Sequence, residues 1–383
     1  MKKLRDDLMG PSEFPISDGH IVLNHAGVSP PSQSCVRAVE SFLREHSMGK
    51  HSFEDLEAIA DLCRSRFAEL IGGKDEEVAF VRNTSHGLSI VANGLNWKKD
   101  DKILVATSVE YPSNVYPWLD LEKRGMAQVD VINTPSGLLD VDLVKEKIRE
   151  ETRLLAVSSA NYATGAVADL EGLGRICHDH QVLLCVDGIQ TVGVLPTDVK
   201  DMGIHFLSAD SHKWMLGIMG IGCLYVDSQI VQKVHPPLLG WRSTTNRWDF
   251  DTPVFDLLKD SGKFEEGSLP YPLIAGFSES LNLIHEIGVP EIEHRIGKLL
   301  NLLAQQLLSL GCDVGPDPAV RRHILTFKHN SLDTEWLLNQ LTEANVIASM
   351  RRSRIRVAPH YYNTEENMYR VSHMIESFLE NGQ

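Results

Sequence analysis

The sequence predicts an α/β protein with a mostly parallel sheet sandwiched by helices, followed by a smaller α+β unit. Between residues 101 and 226, short apolar runs alternate with amphipathic stretches, which is the pattern of strand–helix–strand units. The chain has 383 residues, of which 43% are hydrophobic, so it can bury a large core. After about Trp241 the alternation gives way to polar loops, two long helices and short strands.

The predicted elements follow from apolar spacing and from Gly and Pro breakers. A short strand ends in a Gly/Pro loop that begins at Asn24, and helices follow at 34–46 and 54–71. In the alternating region, strands are predicted at 102–107, 129–133, 154–159, 182–186, 206–208 and 222–226, with helices at 114–125, 142–150 and 170–180.

The C-terminal part reads as helices at 272–288, 291–310, 334–343 and 364–379, with strands at 323–328, 346–350 and 355–358. We therefore predict a large α/β domain over residues 16–255 and a small domain formed by residues 1–15 and 256–383.

The bulk composition excludes several classes of partner. A formal net charge of −15 argues against binding to nucleic acid or to anionic membranes. No stretch approaches the roughly 18 apolar residues of a membrane helix, and no apolar run follows the basic N-terminus, so a secretory signal is not expected. The six cysteines are scattered without a CxxC pair, which favours reduced thiols in a cytoplasmic protein and predicts no metal site.

Lys213 stands out because it lies in a polar turn between an apolar strand and Trp214, and a glycine-rich run at 217–222 follows it. A lysine in such surroundings is partly desolvated and can lose its proton, which makes it a nucleophile toward a carbonyl.

Other polar side chains follow the predicted strands, where ligands bind in parallel sheets. Thr84 and Ser85 begin a helix, a position that binds anions but that is also occupied by ordinary helix caps. Further candidates after the strands are Tyr111, Asn161, Asp187, Gln190, Asp210 and His212. Each of these residue types is also common in turns, so no single one indicates a ligand site. The prediction of a ligand site depends on all of them lying at the carboxyl ends of predicted strands.

Together these groups suit a ligand with a phosphate, a flat ring, a basic ring nitrogen and a carbonyl, as in pyridoxal 5′-phosphate (PLP). Lys213 would form the Schiff base, Asp187 would keep the ring nitrogen protonated, and Tyr111 would stack on the ring. Gln190 and Asn161 would meet the ring hydroxyl. The phosphate would be held by Thr84, Ser85 and His212.

The sequence resembles the class V aminotransferase family, and in particular its branch of cysteine desulfurases and isopenicillin N epimerases. The resemblance covers nearly the whole chain and is most specific at 186–193, 209–214, 264–268 and 354–364. It implies the type I fold of PLP-dependent transferases and a homodimer with shared active sites, in which Ser268 reaches the partner subunit's phosphate. It also implies that Arg356 binds the substrate α-carboxylate, with Asn24 and His25 nearby.

Three departures from the desulfurase pattern bear on the reaction. The stretch 345–355 contains no cysteine, and persulfide chemistry needs a thiolate there. Tyr111 stands where desulfurases have a histidine, and Asp210 replaces a phosphate-binding serine. We expect Asp210 to turn toward the backbone or His212. At the ring-hydroxyl position, the alternatives Asn161 and Tyr162 stay open.

The sequence therefore predicts a PLP-dependent enzyme acting at the α-carbon of an amino acid, by transamination or epimerisation, with Lys213, Asp187 and Tyr111 as catalytic residues. One alternative is β-elimination of the C–S lyase type without a persulfide cysteine, and another is a catalytically silent PLP-binding protein. A nicotinamide dehydrogenase is disfavoured because no GxGxxG follows the first strand. The expected pocket walls are Trp241, Arg242, Tyr271 and His360.

Overall fold

The computed structural model describes residues 10, 12–107, 109–134, 137–252 and 254–381. The basic N-terminal residues 1–9, which were assigned to the small domain, lie outside the described residues, as does residue 11. Within the described ranges, no helix is both long enough and apolar enough to cross a bilayer.

The strands are β1 (Ile21–Val22), β2 (Val78–Val81), β3 (Lys102–Val105), β4 (Gln128–Val131), β5 (Thr152–Ser158), β6 (Leu183–Asp187), β7 (Phe206–Asp210), β8 (Gly222–Val226), β9 (Asp313–Gly315), β10 (Leu325–Lys328), β11 (Val346–Ile347), β12 (Ser349–Arg351) and β13 (Arg354–Val357). The α-helices are α1 (Gln33–Ser47), α2 (Phe53–Leu70), α3 (Thr84–Gly94), α4 (Tyr116–Lys123), α5 (Val141–Lys147), α6 (Leu170–Asp179), α7 (Tyr271–Ile287), α8 (Val289–Ser309), α9 (Thr334–Glu343) and α10 (Glu365–Asn381).

The large sheet confirms the predicted α/β class. Among the described residues it has seven strands in the order β2-β8-β7-β6-β5-β3-β4. Strands β3 to β7 pair in parallel, whereas β8 runs antiparallel to both β7 and β2. Strand β7 continues to Asp210, two residues beyond its predicted end.

Helices cover both faces of this sheet because both faces are apolar. On one face, α1, α2 and α7 contribute Phe42, Phe67 and Phe277 to a buried cluster. On the other, α3 and α4 contribute Leu88 and Trp118. The sheet is therefore held rigidly between two layers, and its strand ends are fixed in position.

The parallel register aligns the carboxyl ends of β5, β6 and β7. Ser158 pairs with Asp187, and Asp187 pairs with Ser208. Because these strands run the same way, the residues that follow them emerge at one edge of the sheet.

The C-terminal part forms a second sheet, β12-β13-β10-β9. The N-terminal strand β1 pairs in parallel with β11, and a bridge between Asn24 and Ala358 continues this contact. Helix α7 contributes to both cores, through Phe277 to the large one and through Ile284 to the small one. The domain boundary at residue 255 stays a proposal. Helix α7 bears on it directly, because this helix packs into the cores of both domains.

Candidate active site

A cavity of about 410 Å³ lies at the carboxyl edge of the large sheet, between the start of α3 and the β12–β13 hairpin. Eight predicted site residues line it: Thr84, Ser85, Tyr111, Asp187, Gln190, His212, Lys213 and Arg356. It is also lined by Ser158, Tyr162, Asp210 and Arg351.

Lys213 follows β7 in a turn that is held by backbone contacts. Its carbonyl accepts a hydrogen bond from the Ser29 hydroxyl at 2.5 Å, and its Nζ lies 6.0 Å from the centre of the Tyr111 ring. Burial lowers the pKa of Lys213 to about 8; Asp187 opposes this shift and Arg356 adds to it. With such a pKa, about a quarter of the amines are neutral at pH 7.5, so a nucleophile is available.

Asp187 ends β6 and is nearly fully buried. Its Oδ1 accepts a hydrogen bond from the Ile189 N–H at 3.1 Å. Burial raises the pKa of Asp187 to about 6, although the Ile189 N–H and Lys213 favour the charged form. A buried carboxylate of this kind is stabilised by a cation placed against it, and a protonated ring nitrogen meets that need.

Glu110 is a second buried carboxyl group beside the cavity, and sequence reasoning missed it. It accepts hydrogen bonds from the Ser158 N–H at 2.8 Å, from the Ser158 hydroxyl, and from Asn114 Nδ2 at 2.8 Å. Burial raises its pKa to about 7, and the nearby Asp187 charge adds to the shift. The available signal was an acidic residue directly before Tyr111 at a strand's carboxyl end.

The start of α3 provides an anion site. Asn83 caps the helix by accepting a hydrogen bond from the His86 N–H at 2.8 Å, and the Ser85 hydroxyl donates to Ser113 at 2.7 Å. The Thr84 Oγ1 is buried and makes no hydrogen bond of normal geometry among the described residues, but the Thr84 hydroxyl and N–H lie near the Asp210 carboxyl and oppose the rise in its pKa. A hydroxyl at a helix N-terminus fits a phosphate oxygen, because the free N–H groups and the helix dipole favour negative charge at the same point.

Asp210 lies toward His212, as expected from the sequence. Its Oδ2 is 3.4 Å from His212 Nδ1, and burial raises its pKa to about 7. Burial also lowers the pKa of His212 to about 4, so the ring is neutral at physiological pH. A protonated Asp210 is uncharged and does not repel a phosphate group.

Arg356 is buried on β13 and is held by neutral oxygens. It donates to the Tyr162 carbonyl at 2.5 Å, to Ser349 Oγ at 3.2 Å and to Asn24 Oδ1 at 3.4 Å. Asn24 therefore orients the guanidinium. The arrangement leaves an arginine at the cavity wall that can bind a carboxylate.

Four predicted residues, Asn24, His25, Asn161 and Ser268, do not line the cavity. His25 is fully buried, with Nδ1 2.8 Å from the Ala358 carbonyl and Nε2 2.8 Å from the Tyr362 hydroxyl, so its ring is used to hold the chain termini together. The Asn161 side chain accepts bonds from the Ala163 and Thr164 N–H groups and so closes its own loop. The neighbouring Tyr162 faces the cavity instead.

Gln190 lines the cavity, but its amide is largely engaged. Its Nε2 donates to the Ala26 carbonyl at 3.1 Å, and its Oε1 accepts from Trp214 Nε1 at 3.0 Å. This leaves one N–H for a ligand oxygen.

Ser268 lies elsewhere, in a separate cavity of about 320 Å³ with Arg82 and His86. The four expected pocket walls, Trp241, Arg242, Tyr271 and His360, do not line the main cavity within this chain. Arg242, for example, is buried in an ion pair with Glu57, with Nη1 2.6 Å from Oε1.

The model of the aminotransferase class-V family matches residues 21–380. The chain belongs to the class V aminotransferase family. A probable cysteine desulfurase from Methanothermobacter thermautotrophicus is 29% identical over 388 residues, which cover 95% of this chain and 96% of that protein.

Solved structures show the same fold. An apo cysteine desulfurase from Thermococcus onnurineus NA1 matches with a TM-score of 0.90 and 24% identity over 100% of both chains. The cystine C–S lyase C-DES, solved with its product cysteine persulfide, matches with a TM-score of 0.87 and 22% identity over 94% of this chain and 99% of that one.

As a class V aminotransferase family member, the protein is a PLP-dependent enzyme. When bound, PLP supplies an aldehyde that takes up an amine and a ring that withdraws electrons from the α-carbon. The cavity residues fit this group: Thr84 and Ser85 for the phosphate, Asp187 for the ring nitrogen and Lys213 for the aldehyde.

No cysteine lines the cavity within the part of the chain that the structure describes, and all six cysteine side chains are buried. Where a desulfurase would carry its cysteine, β12 and β13 join through a two-residue turn at Arg352 and Ser353, which have φ values of 49° and 59°. Such a turn is short and holds the strands in fixed register.

Proposed function

We propose that this enzyme removes the α-proton of an amino acid and then eliminates a sulfur group from the β-carbon, as a C–S lyase without an enzyme persulfide. The observation that carries the proposal is the absence of a thiol from the lining of the described cavity, together with a complete set of groups for cofactor and α-carboxylate. Sulfur therefore leaves with a small molecule rather than on a protein cysteine.

The proposed roles follow from the contacts. Arg356 holds the α-carboxylate, and Lys213, whose pKa lies near 8, takes up the α-proton once its amine is free. Asp187 holds the ring nitrogen in its protonated form. Tyr111 covers the ring, and Gln190, Tyr162 and Ser158 complete the walls.

Epimerisation or transamination is the second candidate, because the same proton transfer begins both reactions. Tyr111 favours this second candidate, since its ring lies beside Lys213 and its hydroxyl offers a second proton-carrying group.

We further propose a homodimer in a reducing compartment such as the cytoplasm. This is supported by Ser268 in its own surface cavity and by cysteines that are all unpaired.

The test is to incubate the PLP-loaded protein with L-cysteine, L-cystine and L-alanine and to assay pyruvate, ammonia, sulfide or persulfide, and change of chirality. Pyruvate and reduced sulfur from the sulfur amino acids support a lyase. Racemised alanine, or a keto acid formed with aminated cofactor, supports the second candidate. Lys213→Ala controls for cofactor-free chemistry and should abolish every product.

A protein that shows no visible cofactor absorption with added PLP would contradict the whole proposal. The dimer is tested separately by sedimentation, and Ser268→Ala should weaken PLP affinity only if the partner subunit contributes this residue.

A further inference from the structure

The cavity is lined by two guanidinium groups, although the α-carboxylate of an amino acid occupies only one. Besides Arg356, the structure places Arg351 at the cavity wall, at the end of β12. Arg351 is half-buried, and its Nη1 donates to the Met350 carbonyl at 2.7 Å. Its planar fork therefore retains free donors toward the cavity.

Within the part of the chain that the structure describes, neither guanidinium has a neutralising partner. Among the described residues, no carboxylate forms an ion pair with Arg351 or with Arg356. The two groups also affect each other, since Arg351 adds to the burial that lowers the pKa of Arg356 to about 10. Like charges placed together in this way are stabilised by anions.

The neighbouring Arg354 lies on the same hairpin and, unlike Arg351, forms an ion pair with a carboxylate. It pairs with Arg351 across the strands, yet its guanidinium binds Asp313, with Nη1–Oδ2 at 2.6 Å and Nη2–Oδ1 at 3.2 Å. On this hairpin Arg354 therefore binds a protein carboxylate, whereas Arg351 and Arg356 line the cavity without one among the described residues.

The other charges proposed at the cavity are accounted for elsewhere. The cofactor phosphate is assigned to the start of α3, and Asp187 is assigned to the ring nitrogen. Asp210 lies beside the neutral His212, with Oδ2–Nδ1 at 3.4 Å, and carries no charge when it is protonated. The short turn at Arg352 and Ser353 fixes Arg351 at the wall, so the second cationic group is already in position before a substrate binds.

We propose that Arg351 binds a second carboxylate, carried by the substrate side chain, so that the substrate class is an α-amino acid with an anionic side chain beyond its β-carbon. This inference rests on the proposed function, because it assumes that Arg356 receives the α-carboxylate. Arg351 is then a specificity-determining residue, and amino acids with neutral side chains bind more weakly.

The test uses two probes that differ in one group: S-carboxymethyl-L-cysteine, with a side-chain carboxylate, and S-carbamoylmethyl-L-cysteine, its neutral amide. Each is titrated into the PLP-loaded enzyme, and the change in cofactor absorption gives the apparent affinity. L-Alanine is the third ligand, because it has no side-chain polar group. The proteins are the unaltered enzyme, Arg351→Gln, and the control Arg354→Gln.

We expect the unaltered enzyme and Arg354→Gln to prefer the carboxylate probe by about tenfold or more, as a charged hydrogen-bonded pair predicts. In Arg351→Gln this preference should fall to about one, and the affinity for L-alanine should change much less than the affinity for the carboxylate probe.

Two results would overturn the assignment of Arg351 alone: equal binding of the two probes by the unaltered enzyme, or a preference that persists in Arg351→Gln, in either case with a normal response to L-alanine. A PLP-loaded enzyme that responds to none of the three ligands would overturn the proposed function, and the inference with it.

Discussion

Glu110 allows a quantitative test of the buried charge behind the cavity. Its carboxyl group is buried with a pKa near 7, whereas the ordinary value is 4.5. Because the folded state binds the proton more tightly than the unfolded state, Glu110 makes folding less favourable as the pH rises from about 4.5 through 7. Glu110→Gln removes this titration, since glutamine resembles the protonated acid in shape.

The expected size follows from the two pKa values. Between pH 5 and pH 8, ionisation of Glu110 should cost the folded state about 2.5 kcal/mol in the free energy of unfolding. The variant should therefore gain about that much relative to the unaltered protein over this range. At pH 5 the two proteins should differ by only about 1 kcal/mol, because Asn114 Nδ2 must find another acceptor.

The assay is urea unfolding of cofactor-free protein at several pH values. Glu77→Gln is the matched control, because Glu77 is also buried but binds Lys200 Nζ at 2.6 Å. Burial alone would raise the pKa of Glu77, but the bond from Lys200 and the Ser228 N–H outweigh it and lower the pKa. The control should thus lose stability by a constant amount from pH 5 to pH 8. An equally constant difference for Glu110→Gln would refute the reasoning.

Three further predictions concern single positions. Thr84→Val should weaken PLP affinity about fivefold to tenfold, measured by equilibrium titration, yet leave cofactor-free stability within about 0.5 kcal/mol. The reason is that its buried hydroxyl makes no hydrogen bond of normal geometry among the described residues and otherwise acts on the Asp210 carboxyl; a large stability loss would contradict a phosphate role. His25→Ala should lower the free energy of unfolding by about 3 kcal/mol, because it removes two hydrogen bonds and leaves a cavity. Its effect on kcat should be smaller than that of Lys213→Ala. A larger loss of kcat in His25→Ala than in Lys213→Ala would place His25 in the active site. Ser353→Gly should raise the free energy of unfolding by about 1 kcal/mol, since φ is 59° there, and no gain in urea unfolding would argue against a strained turn.

The sequence was most informative where local pattern and topology agree. Lys213, Asp187 and Tyr111 each follow an apolar strand, and parallel pairing brings such positions to one edge of a sheet. The α/β class and the cavity wall formed by these three residues could therefore be predicted without coordinates.

The remaining positions depend on contacts that a local pattern does not contain. His25 was expected near the substrate, but its partners Ala358 and Tyr362 lie more than 330 residues along the chain. The choice between Asn161 and Tyr162 depended on which of the two side chains faces the cavity. Both lie in a loop, and a loop has no sequence periodicity from which side-chain direction can be predicted. Arg351 lies at the cavity wall because of the register of the β12–β13 hairpin. The run of basic residues around it in the sequence does not predict that register.

The pairing of β1 with β11 and the bond between Arg356 and Asn24 join segments from opposite ends of the chain. During synthesis, the PLP-binding groups proposed within one subunit's own cavity have been made when residue 213 has been added, but Arg356 comes 143 residues later. At ordinary elongation rates that interval is roughly 7 to 30 s. The carboxylate-binding wall therefore forms last, and a ribosome-bound chain contains the reactive lysine before it has a means of selecting a substrate.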